Sequence, residues 1–78
     1  MDDPFGGALS VEQTISFLWK HLVGHTRDYK RRPWDFDRGA AHGYAVALSC
    51  LTDHALKQII EAADQAAEDR SDPLGLAA

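Results

Sequence analysis

His21 and His25 stand four residues apart, and Asp28 follows three residues later. On a helix this spacing puts two imidazoles and a carboxylate on one face, a donor set that can hold a divalent ion such as zinc. His42 completes a candidate set of His21, His25, Asp28 and His42 if the chain turns back on itself. The signal is weak. Histidines four apart arise often by chance, and the metalloprotease pattern needs a Glu directly after the first His, where this chain has Leu22. The expectation is histidines that pack or face solvent, with no bound metal and no other cofactor.

A second group is basic and aromatic. Arg27, Lys30, Arg31, Arg32 and Arg38 surround Tyr29 and Trp34. Guanidinium groups beside aromatic rings can grip phosphates and stack bases, so a nucleic-acid-associated regulator is one reading. Asp28, Asp35 and Asp37 interrupt the group and would repel a phosphate backbone, and the formal net charge of the chain is −4. Trp, Tyr and Arg are also the usual anchors of protein interfaces. A protein partner is therefore the stronger expectation, with Phe17, Arg27, Arg31, Arg32, Trp34 and Arg38 as contact residues.

Catalysis has little to stand on. Ser10, Ser16 and Ser49 sit in no nucleophile elbow, and no glycine-rich phosphate loop is present. Cys50 has His54 four residues on, but it lies in the apolar run AVALSCL near Asp53. A reactive thiolate needs an exposed, electropositive setting. The chain is read as non-enzymatic. As the single cysteine, Cys50 can form no disulfide within the chain.

These residues need elements to position them, and the pattern is helical throughout. Ser10 followed by Gln13 is a capping box, and Glu12 in the first turn suits the helix dipole. Val11, Ile15, Leu18, Leu22 and Tyr29 then form one stripe, which predicts a helix over 11–31. Lys30 and Arg31 suit its C-terminal end, and Pro33 stops it. The short link predicts an antiparallel hairpin, with Asp35 or Asp37 as the next cap and Trp34 or Phe36 packing back. From residue 36 to residue 70 there is no proline and, beyond Gly43, no glycine. This predicts one long helix over 36–70, and a three-helix bundle with a break near Thr52–Asp53 is the alternative. Gly39, Gly43 and Ala47 form a ladder of small residues that suits close helix packing.

Length then argues for a second chain. A helix of ~36 residues is about 54 Å long, while one of ~21 residues is about 31 Å. The longer one overhangs beyond Leu56, with its apolar residues uncovered. The expected architecture is all-α: a helical hairpin that dimerises into a four-helix bundle, with Leu51, Ile59, Ile60, Ala63 and Ala66 at the dimer interface. An antiparallel dimer also sets the basic hairpin tip of one copy near the acidic stretch 61–72 of the other. Residues 1–78 read as one small domain with a flexible lead-in, 1–9, and a flexible tail, 71–78. Both ends carry Asp-Pro turns.

No apolar run reaches the ~20 residues of a membrane span, and the acidic start MDDPFGG lacks the features of a signal peptide. A cytoplasmic protein is expected. Together these features describe a protein–protein interaction module, a small regulatory or inhibitor protein acting as a helical dimer. A nucleic-acid regulator using the basic tip is the runner-up, and a histidine-based metal-binding protein comes third.

Overall fold

The computed structural model describes residues 10–77. Three helices follow one another: α1 (Val11–Arg31), α2 (Asp35–Leu51) and α3 (Leu56–Asp69). The first begins where the sequence places it. The Gln13 amide donates to the Ser10 hydroxyl oxygen at 3.0 Å, and the Ser10 amide donates to Gln13 Oε1 at 2.9 Å. Two otherwise orphaned donors are satisfied reciprocally. The lead-in over residues 1–9 lies outside the described residues.

The expected helix over 36–70 is two helices. The break occupies Thr52 to Ala55, with no glycine or proline in it. Thr52 takes an extended backbone, and both its amide and its hydroxyl donate to the Leu48 carbonyl, at 2.9 and 2.8 Å. The same hydroxyl oxygen accepts from the His54 amide at 3.3 Å. Ala55 opens α3, and its amide donates to Gln58 Oε1 at 2.9 Å. A threonine and a glutamine thus supply the partners that the helix ends would otherwise lack.

Packing favours the break. It lets α3 turn its apolar stripe inward, so Ile59, Ala62, Ala63 and Ala66 are buried. A straight helix would leave that stripe in water, and one large aliphatic side chain alone is worth about 1.5–3 kcal/mol on burial. The core is Trp19 and Leu22 from α1, Ala45 and Leu48 from α2, and the α3 stripe. The alanines make room for Trp19, which keeps only 4% of its surface exposed.

The break also removes the overhang that argued for a second chain. Ile59, Ala63 and Ala66, expected at a dimer interface, are covered by the chain's own helices. Leu51 and Ile60 remain exposed, at 44% and 43%. Across the α1–α3 contact, Lys30 Nζ reaches Asp64 at 2.8 Å and Glu68 at 3.0 Å, and Arg27 Nε donates to the Ala67 carbonyl at 3.4 Å. The C-terminal halves of α1 and α3 therefore lie side by side, and α2 runs back between the two turns.

Residues 71–77 turn back toward α1, and Ser71, Asp72 and Ala77 line a groove with Trp19 and Val23. Arg70 takes a left-handed conformation (φ 59°) at the end of α3, and Gly75 does the same (φ 66°) after the Asp72-Pro73-Leu74 turn. The Asp72 carboxylate accepts from the Leu76 and Ala77 amides at 2.8 and 2.9 Å. Leu76, 8% exposed, then joins the core cluster. Among the described residues, no helix is long and apolar enough to cross a membrane.

Candidate interaction surface

Phe17, His21 and His25 follow at helical spacing along one side of α1, and α2 lays Tyr44 and Phe36 beside them. Phe17 and His21 have ring centroids 4.3 Å apart. Tyr44 stacks on His21 at 5.4 Å and on His25 at 5.6 Å, with the rings within 19° and 15° of parallel. Phe36 meets His25 edge-on at 5.9 Å. The rings make one continuous array from the middle of α1 to the start of α2. Offset-stacked and edge-on pairs of this kind add about 0.5–1.5 kcal/mol each beyond burial.

Asp37 fixes the far end of the array. Its carboxylate lies 3.0 Å from His25 Nδ1. A carboxylate oxygen accepts, so Nδ1 is the nitrogen that donates, and Nε2 is left for other contacts. Asp37 is only 9% exposed, in the first turn of α2, where the helix dipole favours a negative charge. The sequence suggested Asp35 or Asp37 as the cap of this helix. The cap position is instead Trp34, which makes no side-chain capping bond. Asp37 is three residues into the helix and turns toward α1, because that is the side α2 packs on.

Beyond this pair lies an open groove of about 560 Å³, lined by His25, Asp28 and Asp37 and by Arg31, Arg32, Trp34 and Phe36. Neither Trp34 nor Phe36 packs down as the sequence suggested; they are 55% and 73% exposed. The Arg32 guanidinium lies over the Trp34 ring, 4.6 Å from its centroid, a cation–π contact. A second depression of about 490 Å³ shares His25 and Asp28 with that groove and continues the surface along Phe17, Lys20, His21 and Gly24. Phe17 is 49% exposed at its end.

The contact residues read from the sequence divide among three places. Phe17, Arg31, Arg32 and Trp34 share this surface. Arg27 turns to the C-terminal end of α3 and lines a separate groove with Lys20 and Arg70. Arg38 lines a third groove of about 770 Å³, with Tyr29, His42, Ile60 and Asp64. Lys30 is held by Asp64 and Glu68, and the hydrogen bonds to those two carboxylates, Asp64 first, raise its pKa above the ordinary 10.5. The basic tip is thus not one continuous patch.

Of the four metal candidates, His21, His25 and Asp28 line one depression on α1, and His42 is set apart from them. His21 and His25 face Tyr44, while His42 lines the groove with Arg38. Two residues apart on a helix means roughly 200° of rotation, so the face that presents Tyr44 to α1 turns His42 away. Among the described residues, no group of three or more His, Cys, Asp or Glu is placed to hold a metal ion.

Sequence reasoning missed the His25–Asp37 pair and the role of Phe36. The available signal was the tight link at Pro33, which brings the last turns of α1 against the first turn of α2. Searched against known proteins, the chain matches no family model, no curated protein and no solved structure.

Proposed function

We propose that the protein is a non-enzymatic interaction module that binds another protein through the ring array of α1 and the hairpin tip. The observation that carries this reading is the exposure of Trp34 and Phe36 at a groove edged by Arg31 and Arg32, and of Phe17 in the adjoining depression. Large apolar side chains gathered on one surface usually mark an interaction site. Aromatic anchors beside arginine are what tight interfaces use. The hydrogen bond from His25 to Asp37 and the stacking on Tyr44 hold the array in one conformation before binding, so less freedom is lost on association. A module of this size regulates or inhibits its partner by covering a surface of it.

The test is affinity capture from the protein's native cells, comparing wild type with Phe17→Ala/Trp34→Ala and with the control Lys57→Ala/Glu61→Ala on the far side of α3. A specific partner should be lost about tenfold or more by the first pair, and kept by the control. Equal recovery by both variants sinks the assignment.

The nucleic-acid reading is weaker, because Lys30, Arg27 and Arg38 are engaged elsewhere or face other grooves. A salt-titrated gel shift with single-stranded probes separates the two, and no shift at low salt removes it. For the metal-binding reading, an unchanged melting temperature in a zinc or nickel titration would exclude it.

A further inference from the structure

The sides of α2 are unequal. Asp37, Ala41, Tyr44, Ala45 and Leu48 turn toward the rest of the chain, and Asp35, Arg38, His42 and Ser49 make a narrow polar strip. At 3.6 residues per turn, the remaining arc spans roughly 140°. It carries Phe36, Gly39, Gly43, Val46, Cys50 and Leu51, with Ala40 and Ala47 between them, and no charged or amide side chain. Phe36, Gly39, Gly43, Val46 and Cys50 are spaced 3-4-3-4, the repeat of a helix–helix seam. All five are exposed, with Phe36 at 73% and Val46 at 38%.

Among the described residues, nothing accounts for the glycines of this arc. A Cβ built on Gly39 or Gly43 meets no atom within 4 Å. Glycine in a helix interior is nonetheless less favourable than alanine. The close approach they permit is not used by the described residues of one copy.

We infer that this face of α2 is a homodimer contact, packing antiparallel against α2 of a second copy with Gly43 at the two-fold axis. The pattern is self-complementary about that point. Gly43 meets its own counterpart, Gly39 meets Ala47 of the partner copy, and Phe36 meets Cys50 and Leu51 of the partner copy. Charge selects the antiparallel direction. The last turn of α2 has no basic residue on its carbonyls, and Asp53 follows it, exposed. The exposed Arg31 and Arg32 precede its other end and outnumber the one exposed carboxylate of its first turn, Asp35. Antiparallel packing sets those arginines near Asp53 and the helix C-terminus of the partner copy, twice over, while a parallel pair aligns like charges. A contact along one four-turn helix buries on the order of 1,000 Å² in total, the lower limit for a specific interface. The dimer is accordingly a reversible, concentration-dependent one. It differs from the interface read from the sequence and shares only Leu51 with it. It shares Phe36, Arg31 and Arg32 with the proposed partner surface but uses neither Phe17 nor Trp34, so Phe17→Ala/Trp34→Ala should leave it unchanged.

Sedimentation velocity from about 5 to about 500 µM tests it, a span that brackets micromolar association. The weight-average mass should climb from 8.6 kDa toward twice that value. Gly43→Glu should hold it at 8.6 kDa with an unchanged circular dichroism spectrum, since the protomer has free space at that position. Crosslinking fixes the register. Gly43→Cys in a Cys50→Ser background should form an interchain disulfide under mild oxidation, because small residues on the axis bring the two Cα atoms within the ~4.4–6.8 Å a disulfide needs. A mass that stays at 8.6 kDa throughout, or a Gly43→Glu variant that associates as well as wild type, overturns the contact. Cys50 crosslinking to itself more readily than Gly43→Cys overturns the antiparallel register.

Discussion

Asp37 is the residue on which the ordering of the site turns. It is the one buried charged side chain among the described residues, and its carboxylate is bonded to a single imidazole. Replacing it with alanine removes a charge-assisted hydrogen bond and a favourable charge at a helix N-terminus. Each such loss is worth about 1 kcal/mol or somewhat more. Asp37→Ala should therefore lower stability by about 1–2 kcal/mol in urea unfolding, and Asp35→Ala, at an exposed position of the same turn, by clearly less. Equal effects would mean that the dipole, and not the His25 contact, is what Asp37 contributes. The pair was hidden in the sequence because its partners are twelve positions apart and each has a local explanation. Ser10 and Gln13 were legible for the opposite reason: the capping box is completed within four residues.

At the scale of elements, α1 and the hairpin link could be read from apolar periodicity and Pro33, which are strong local signals. The end of α2 was legible only as the alternative, a three-helix bundle with a break near Thr52–Asp53, which the structure fits; local sequence could not choose it over a continuous helix. The stop signal of α2 is a threonine hydroxyl bonded back to Leu48, a contact that serine and threonine also make inside continuous helices. What decides between stopping and continuing is whether Ile59 and the alanines of α3 find a surface to bury against, and that depends on α1. The placement of the tail is similarly illegible in local sequence. Leu74 and Leu76 are too few to show a periodicity, yet the turn at Gly75 brings Leu76 into the core. The end of α3 carries strain that a substitution can release. Arg70 holds a left-handed backbone that glycine adopts freely. Arg70→Gly should raise the melting temperature, by up to about 1 kcal/mol in free energy, as measured by thermal unfolding. A lower melting temperature would mean that the Arg70 side chain contributes more than its backbone costs.

For the whole molecule, the three-helix arrangement depends on α1 and α3 staying side by side, and Lys30 is the charged link between them. Its folded pKa is raised by Asp64 and then Glu68. A raised lysine pKa stabilises the folded state fully below the ordinary value of 10.5 and stops doing so as pH rises through the folded value. Thermal unfolding should therefore show an alkaline loss of stability that is smaller in Lys30→Met than in wild type. Identical alkaline profiles would show that the link is only a surface pairing. High salt should narrow the difference between the two proteins, because exposed ion pairs are screened.

The two tryptophans occupy opposite environments, Trp19 at 4% exposure in the core and Trp34 at 55% on the hairpin tip. Each is therefore a separate fluorophore for a separate event. With Trp34→Phe, the emission of Trp19 reports unfolding alone: blue-shifted and shielded from acrylamide in the native state, red-shifted and quenched once the helices part. With Trp19→Phe, the emission of Trp34 reports what docks against the tip, since a covering surface shifts it to shorter wavelength without any change in helix content. A single chain thus carries an optical readout for its own folding and another for the docking proposed at its tip, at sites that need no added label.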